Sequence, residues 1–111
     1  MSLAEFLKIL DDLTRLRIIN LLLENPGMRV KDMVEVLELP QSTVSRHLAQ
    51  LRQSGWVEVK RVDIWVQYRL SRNVIPELRV ALQKLFSQDI MFQNDILKVK
   101  AMQSGVLRDG G

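Results

Sequence analysis

The spacing of apolar positions changes period twice along this chain and divides it into three parts. From Leu3 to Gln53, apolar residues recur every three or four positions, the spacing of helices with one buried face. Leu3, Phe6, Leu7 and Leu10 form a first stripe, started by a capping box of Ser2 and Glu5. Leu13, Leu16, Ile18 or Ile19, and Leu22 form a second, capped by Asp11 or Asp12 and ended by the turn residues Asn25, Pro26 and Gly27. A third helix is predicted over Val30 to Leu37, with Val30, Met33, Val34 and Leu37 inward. After the break at "ELPQS", a fourth covers Gln41 to Gln53, and Gly55 supplies a left-handed stop. The period then drops to two. "WVEVKR" places Val57 and Val59 on one face, and "WVQYRL" does the same for Val66, Tyr68 and Leu70. "VDI" joins the two runs, so they predict a β-hairpin. From about Asn73 to Gln103 the helical period returns, with Asn94 and Asp95 marking a break within it. The expected fold is mainly α with a small hairpin, a single domain over 1–104 and a disordered tail over 105–111.

The fourth helix has an unusual polar face. At about 100° per residue, Val44, Leu48 and Leu51 fall on one side. Ser42, Ser45, Arg46, Ala49 and Gln53 fall on the other, and His47 lies at the edge of the apolar stripe. Short side chains let a helix backbone approach the floor of a DNA major groove. Hydroxyls and amides there meet base edges, and an arginine can bind guanine O6 and N7 together. Serine and threonine at a helix start also act as caps, which Ser42 or Thr43 can do.

Charge sharpens this picture. Between Gln41 and Arg72, six bases (Arg46, Arg52, Lys60, Arg61, Arg69, Arg72) stand against Glu58 and Asp63, while the whole chain carries only +3. A basic block on a nearly neutral body suits a polyanion, with Lys60 and Arg61 near the hairpin tip. There is no cysteine and only one histidine, so disulfides, thiolate metal sites and multi-histidine sites are excluded. No apolar run reaches membrane-spanning length and no signal-peptide layout precedes the first helix, so the expected location is the cytoplasm, with no membrane partner.

The other candidates read as structural. Asp89 and Asp95 do not share a helix face, so they do not form a cation site. Met28, Met33, Met91 and Met102 suit packing better than copper. Trp56 and Trp65 read as hairpin packing rather than pocket lining, and Arg15, Arg17 and Arg29 as structural or phosphate-facing. No paired carboxylates, nucleophile–base set or phosphate-cradling glycine loop is present, so no enzyme, metal or cofactor is expected.

"LDDLTRLRIINLLLE", "LELPQSTVSRHLAQLRQSGWVEVKR" and "WVQYRL", in that order from Leu10 to Leu70, resemble the ArsR/SmtB family of winged-helix bacterial repressors. The resemblance implies a winged helix-turn-helix protein, homodimeric through its first and last helices. It implies binding to a double-stranded operator with an imperfect inverted repeat, and release by an inducer, typically a metal or metalloid. By position, Gln41, Ser42, Ser45 and Arg46 match the base-reading residues, and Lys60 and Arg61 match the wing. Thr43, His47, Gln50 and Arg52 complete the expected DNA-contacting set.

The sequence departs from that family in four places. Arg29 and Lys31 stand where metal-sensing members carry a Cys-x-Cys pair. The last helix has no histidine. Pro40 replaces the usual polar cap of the recognition helix. The hairpin tip has Val62, Asp63 and Ile64 in place of glycine. A thiolate-bound metal is therefore not the inducer. A small organic molecule, an oxyanion near Arg29 and Lys31, a partner protein or no inducer at all remain open. The alternative function is a winged-helix module for protein–protein contact.

Overall fold

The computed structural model describes residues 2–104, so the 105–111 stretch lies outside the described residues. The elements in chain order are α1 (Leu3–Lys8), α2 (Leu13–Glu24), α3 (Val30–Leu37), α4 (Gln41–Gln53), β1 (Val57–Val62), β2 (Trp65–Leu70), α5 (Pro76–Phe86) and α6 (Ile90–Gln103). No helix among the described residues is long and apolar enough to cross a membrane.

Local chemistry sets most of these boundaries. The Ser2 hydroxyl accepts from the Glu5 N–H at 3.1 Å and starts α1, and Asp12 does the same for Arg15 at 3.0 Å and starts α2. Glu38 ends α3 at φ 55 and Gly55 follows α4 at φ 83, both left-handed. Pro40 caps α4 with no side-chain bond, as its lack of a polar group requires.

The core gathers around α2, whose Ile18, Ile19, Leu21 and Leu22 are buried. From α3 it receives Met33, Val36 and Leu37, and from α4 Val44, Leu48 and Leu51. Val36 was not expected inward; Val30 and Val34 are only half-buried. Leu3, Leu7 and Leu13, expected in inward stripes, are exposed.

Trp56 is fully buried between α4 and β1. Its indole N–H donates to the Phe6 carbonyl at 2.6 Å, its ring stacks on Phe6 at 4.5 Å, and its own carbonyl accepts from the Ser71 N–H at 2.8 Å. One residue, through its side chain and its carbonyl, thus joins α1, the end of α4 and both ends of the hairpin.

β1 and β2 pair antiparallel, with Val57 opposite Leu70, Val59 opposite Tyr68 and Val62 opposite Trp65. The turn is the pair Asp63–Ile64, tighter than the expected three-residue link. Asp63 takes φ 55, a conformation that short polar side chains tolerate and that a two-residue hairpin needs. Met28 adds a third backbone segment, exchanging hydrogen bonds of 3.0 and 2.7 Å with Tyr68.

The C-terminal region departs from expectation. Its break falls after Phe86 and not at Asn94 and Asp95, because the Asp89 carboxylate caps α6 by accepting from the Met91 N–H at 2.9 Å. Asp95 sits inside α6, where the Arg17 guanidinium of α2 donates to both its oxygens at 2.8 and 2.9 Å. Asn20 of α2 donates to the Phe92 carbonyl at 3.0 Å, and Lys98 pairs with Glu38. The hydrogen bonds to Asp95 raise the Arg17 pKa, burial works against them, and the nearby charges of Asp95 and Glu38 add to the rise.

His47 is 7% exposed and turns toward α2. Its Nδ1 lies 3.9 Å from Asp12 Oδ1 and has no hydrogen-bond partner among the described residues. Burial raises the Asp12 pKa, but the N–H of Arg15, the charges of His47 and Arg15, and the N–H of Thr14 outweigh it and leave the carboxyl below its ordinary value.

Two stability measurements follow. Asp95→Ala leaves a guanidinium without its partner. With side-chain exposures of 17% for Arg17 and 4% for Asp95, the cost belongs near the lower end of the range for a broken buried pair, about 3 kcal/mol. Urea unfolding measures it, and a loss well under 1 kcal/mol would show that the pair is incidental. Asp12→Asn keeps a capping oxygen and removes only the charge. Because folding lowers the Asp12 pKa below 3.8, the charged form stabilises the fold above that pH, and the contribution is lost as pH falls through the depressed folded value. The native chain should exceed the variant in stability at neutral pH, and the gap should close in strong acid. A gap that widens on acidification would contradict the assignment.

Candidate nucleic-acid interface

The polar face of α4 is built by its buried face. Val44, Leu48 and Leu51 lock the helix onto α2 and α3, so the opposite side must face outward. Gln41, Ser42, Ser45, Arg46, Ala49, Gln50, Arg52 and Gln53 are all exposed, and Thr43 is half-buried. Ser42, Ser45 and Arg46 therefore share one open surface, with the arginine in the N-terminal half. Nothing within the protomer among the described residues pairs with the Arg46 guanidinium.

His47 leaves this set. The sequence placed it at the edge of the apolar stripe, and the start of α2 lies against it and buries it, off the open face of α4. Gln50 stays exposed, but its carboxamide oxygen accepts from Arg15 at 3.1 Å. Arg15 also donates to the Ile9 carbonyl at 2.7 Å and so ties the end of α1 to α4. Arg15 and Arg17 both act within the fold.

The hairpin supplies the second part of the surface. Lys60 and Arg61 are exposed and form no ion pair among the described residues, whereas Arg69 is neutralised by Glu58 at 2.7 Å. Between α4 and β2 runs a cleft of about 400 Å³ lined by Ser45, Leu48, Ala49, Arg52, Gln53 and Tyr68. Tyr68 was read only as a strand residue, and period-two alternation alone gives no sign that it borders this cleft. At the tip of the hairpin, the Arg29 guanidinium sits 4.5 Å over the Trp65 ring, and its Nε lies 3.5 Å from Asp32. Lys31 is exposed on the first turn of α3.

Among the described residues, no group of three or more His, Cys, Asp or Glu side chains is placed to hold a metal ion. Asp89 serves as a helix cap and Asp95 as the partner of Arg17.

The geometry has known counterparts. Residues 12–59 match the family model described as "Bacterial regulatory protein, arsR family". The arsenical resistance operon repressor of Escherichia coli (strain K12) is 43% identical over 70 residues, which cover 63% of this chain and 60% of that protein. The transcriptional activator HlyU of Vibrio cholerae is 35% identical over 82 residues, 74% of this chain and 75% of its own length. Among solved structures, the transcriptional repressor BigR from Xylella fastidiosa superposes with a TM-score of 0.69 at 32% identity, covering 78% of this chain and 85% of that one. The family match spans α2, α3 and α4 and ends within β1. The chain belongs to the ArsR family of bacterial regulatory proteins, as a winged helix-turn-helix regulator of transcription that binds DNA.

Proposed function

We propose that this protein is a cytoplasmic, dimeric repressor that binds an inverted-repeat operator by placing α4 of each protomer in the major groove. The observation that carries this reading is the outward face of α4, where Ser42, Ser45 and Arg46 are exposed beside Lys60 and Arg61, which form no ion pair among the described residues. Recognition helices of this class read bases from their N-terminal residues, and that is where this helix carries its hydroxyls and its guanidinium. Repression is supported by the Escherichia coli and Xylella relatives, both of which are repressors. The inducer is assigned to chemistry other than a thiolate-bound metal, because the chain has no cysteine.

The dimer surface follows from apolar side chains left outside the core. Leu82 and Phe86 close the protomer's own core, while Leu78 is half-buried and Leu85 and Ile90 are exposed. Leu3 and Leu7 of α1 line an apolar cleft with Phe6, Ile75 and Leu78. The dimer contact is therefore assigned to α1 and the C-terminal helices. The last helix, α6, turns one face to α2 and α3 and leaves Ile90, Met91 and Leu97 exposed for it.

Arg46→Ala should weaken binding to an operator duplex by about 1–3 kcal/mol per half-site and leave thermal unfolding and dimerisation unchanged. A mobility shift measures this, and an unchanged operator affinity would end the base-reading assignment. Binding should also weaken steeply with added salt, as phosphate contacts require; a protein-contact module would show no such binding. Sedimentation at micromolar concentration should give a dimer that Leu7→Glu with Leu85→Glu converts to a folded monomer. A native monomer would refute the interface of α1 with the C-terminal helices.

A further inference from the structure

The wing tip carries apolar surface that the fold does not use. Ile64 is 79% exposed, Trp65 50% and Val62 38%, although they are neighbours at one end of the hairpin. Adjacent exposed side chains of this size mark a contact surface more often than isolated ones do. Lys60 and Arg61 stand immediately before them, both exposed and without ion pairs among the described residues. The tip is also held in place. Arg29 covers the Trp65 ring at 4.5 Å and lies 3.5 Å from Asp32, so the outer end of the hairpin is tied to the first turn of α3. The Asp63–Ile64 turn, with Asp63 at φ 55, is as short as a hairpin turn can be and leaves Ile64 at the very end.

We propose that Ile64 is an apolar wedge, which enters the DNA minor groove beside the half-site read by α4 and partly unstacks one base step. This rests on the DNA-binding reading above and adds how the wing engages. Apolar side chains inserted between base steps kink duplexes and make flexible pyrimidine–purine steps the favoured ones. A wedge needs a rigid mount, an apolar end and cations beside it for the phosphates. The Arg29–Trp65 stack, Ile64, and Lys60 with Arg61 supply these in turn. The occupant is DNA because the tip continues the basic surface that begins on α4. Asp63 opposes the contact, since a carboxylate near phosphates is repelled. Its place is explained by the backbone, where Ile or Val could not adopt the left-handed turn without strain.

The test uses the full chain and a duplex enriched from a random 30-base-pair library, with 2-aminopurine placed in turn at positions flanking each half-site. Binding of the native protein should raise the emission severalfold at one flanking step. Ile64→Ser should return that signal to the free-duplex level while major-groove protection over the half-sites persists. The variant's dichroism should match the native chain, because the side chain is exposed. Asp63→Asn, which keeps the turn and removes the charge, should tighten binding at low salt, and the gain should disappear at high salt. Protection of the half-sites with no emission change at any flanking position would overturn the wedge and leave the DNA reading intact. Indifference of duplex affinity to both Ile64→Ser and Asp63→Asn would overturn it too and point the tip toward a protein. Failure to enrich any duplex would overturn both readings.

Discussion

The structure depends on where the Trp56 indole is placed. Its N–H reaches the Phe6 carbonyl and its ring lies flat on Phe6, so α1 is fixed to the junction at which α4 ends and β1 begins. The Trp56 carbonyl holds the chain just after β2. The helix assigned to bases, the hairpin assigned to the backbone and a helix assigned to dimerisation therefore share one anchor. Relative placement of these three surfaces is what an inverted repeat demands, since two recognition helices must stand about 34 Å apart. A polar N–H inside the core must be satisfied, and here the group that satisfies it belongs to the element whose position matters most.

Around that anchor, charge is sorted by burial. Arg15 and Arg17 are held within the protomer, one by Gln50 and the Ile9 carbonyl and the other by Asp95. Arg46, Lys60 and Arg61 have no such partners among the described residues and remain for the solvent side. A count of basic residues would mix the two groups. The geometry separates them, and only the second can release counterions on meeting phosphate.

Much of this was legible in the sequence, and the exceptions share a cause. The bounds of α3 and α4 could be read directly, because Asn25-Pro26-Gly27, Pro40 and Gly55 are local signals. The break near Asn94 and Asp95 was misplaced because Asp95 looks like a helix breaker until Arg17, 78 positions away, neutralises it. His47 sits where a small rotation of α4 separates groove from core, and the decision lies with Asp12 on another helix. Val36 was missed since α3 is covered on a second side by α6, which its own periodicity cannot announce. In each case a residue distant in the chain settled a question that local pattern left open. Tyr68 illustrates the same limit at the interface, where its role comes from facing a cleft shared with another element.

The bonds between α2 and α6 set an order in time. During synthesis the chain emerges from its N-terminus, so α2 is made long before its partners. Arg17 has no carboxylate to meet until 78 further residues exist, and Asn20 waits for a carbonyl 72 residues on. The helices and hairpin of the DNA-contacting half can assemble earlier, since their contacts are closer in sequence and closing short loops costs less entropy. The C-terminal helix then arrives as the closing piece, covering one side of α2 and linking Glu38 on the α3–α4 turn to Lys98. A nascent chain stalled before α6 would present a shaped but uncovered recognition unit, so α6, made after the helices it packs on, is what closes the core over α2.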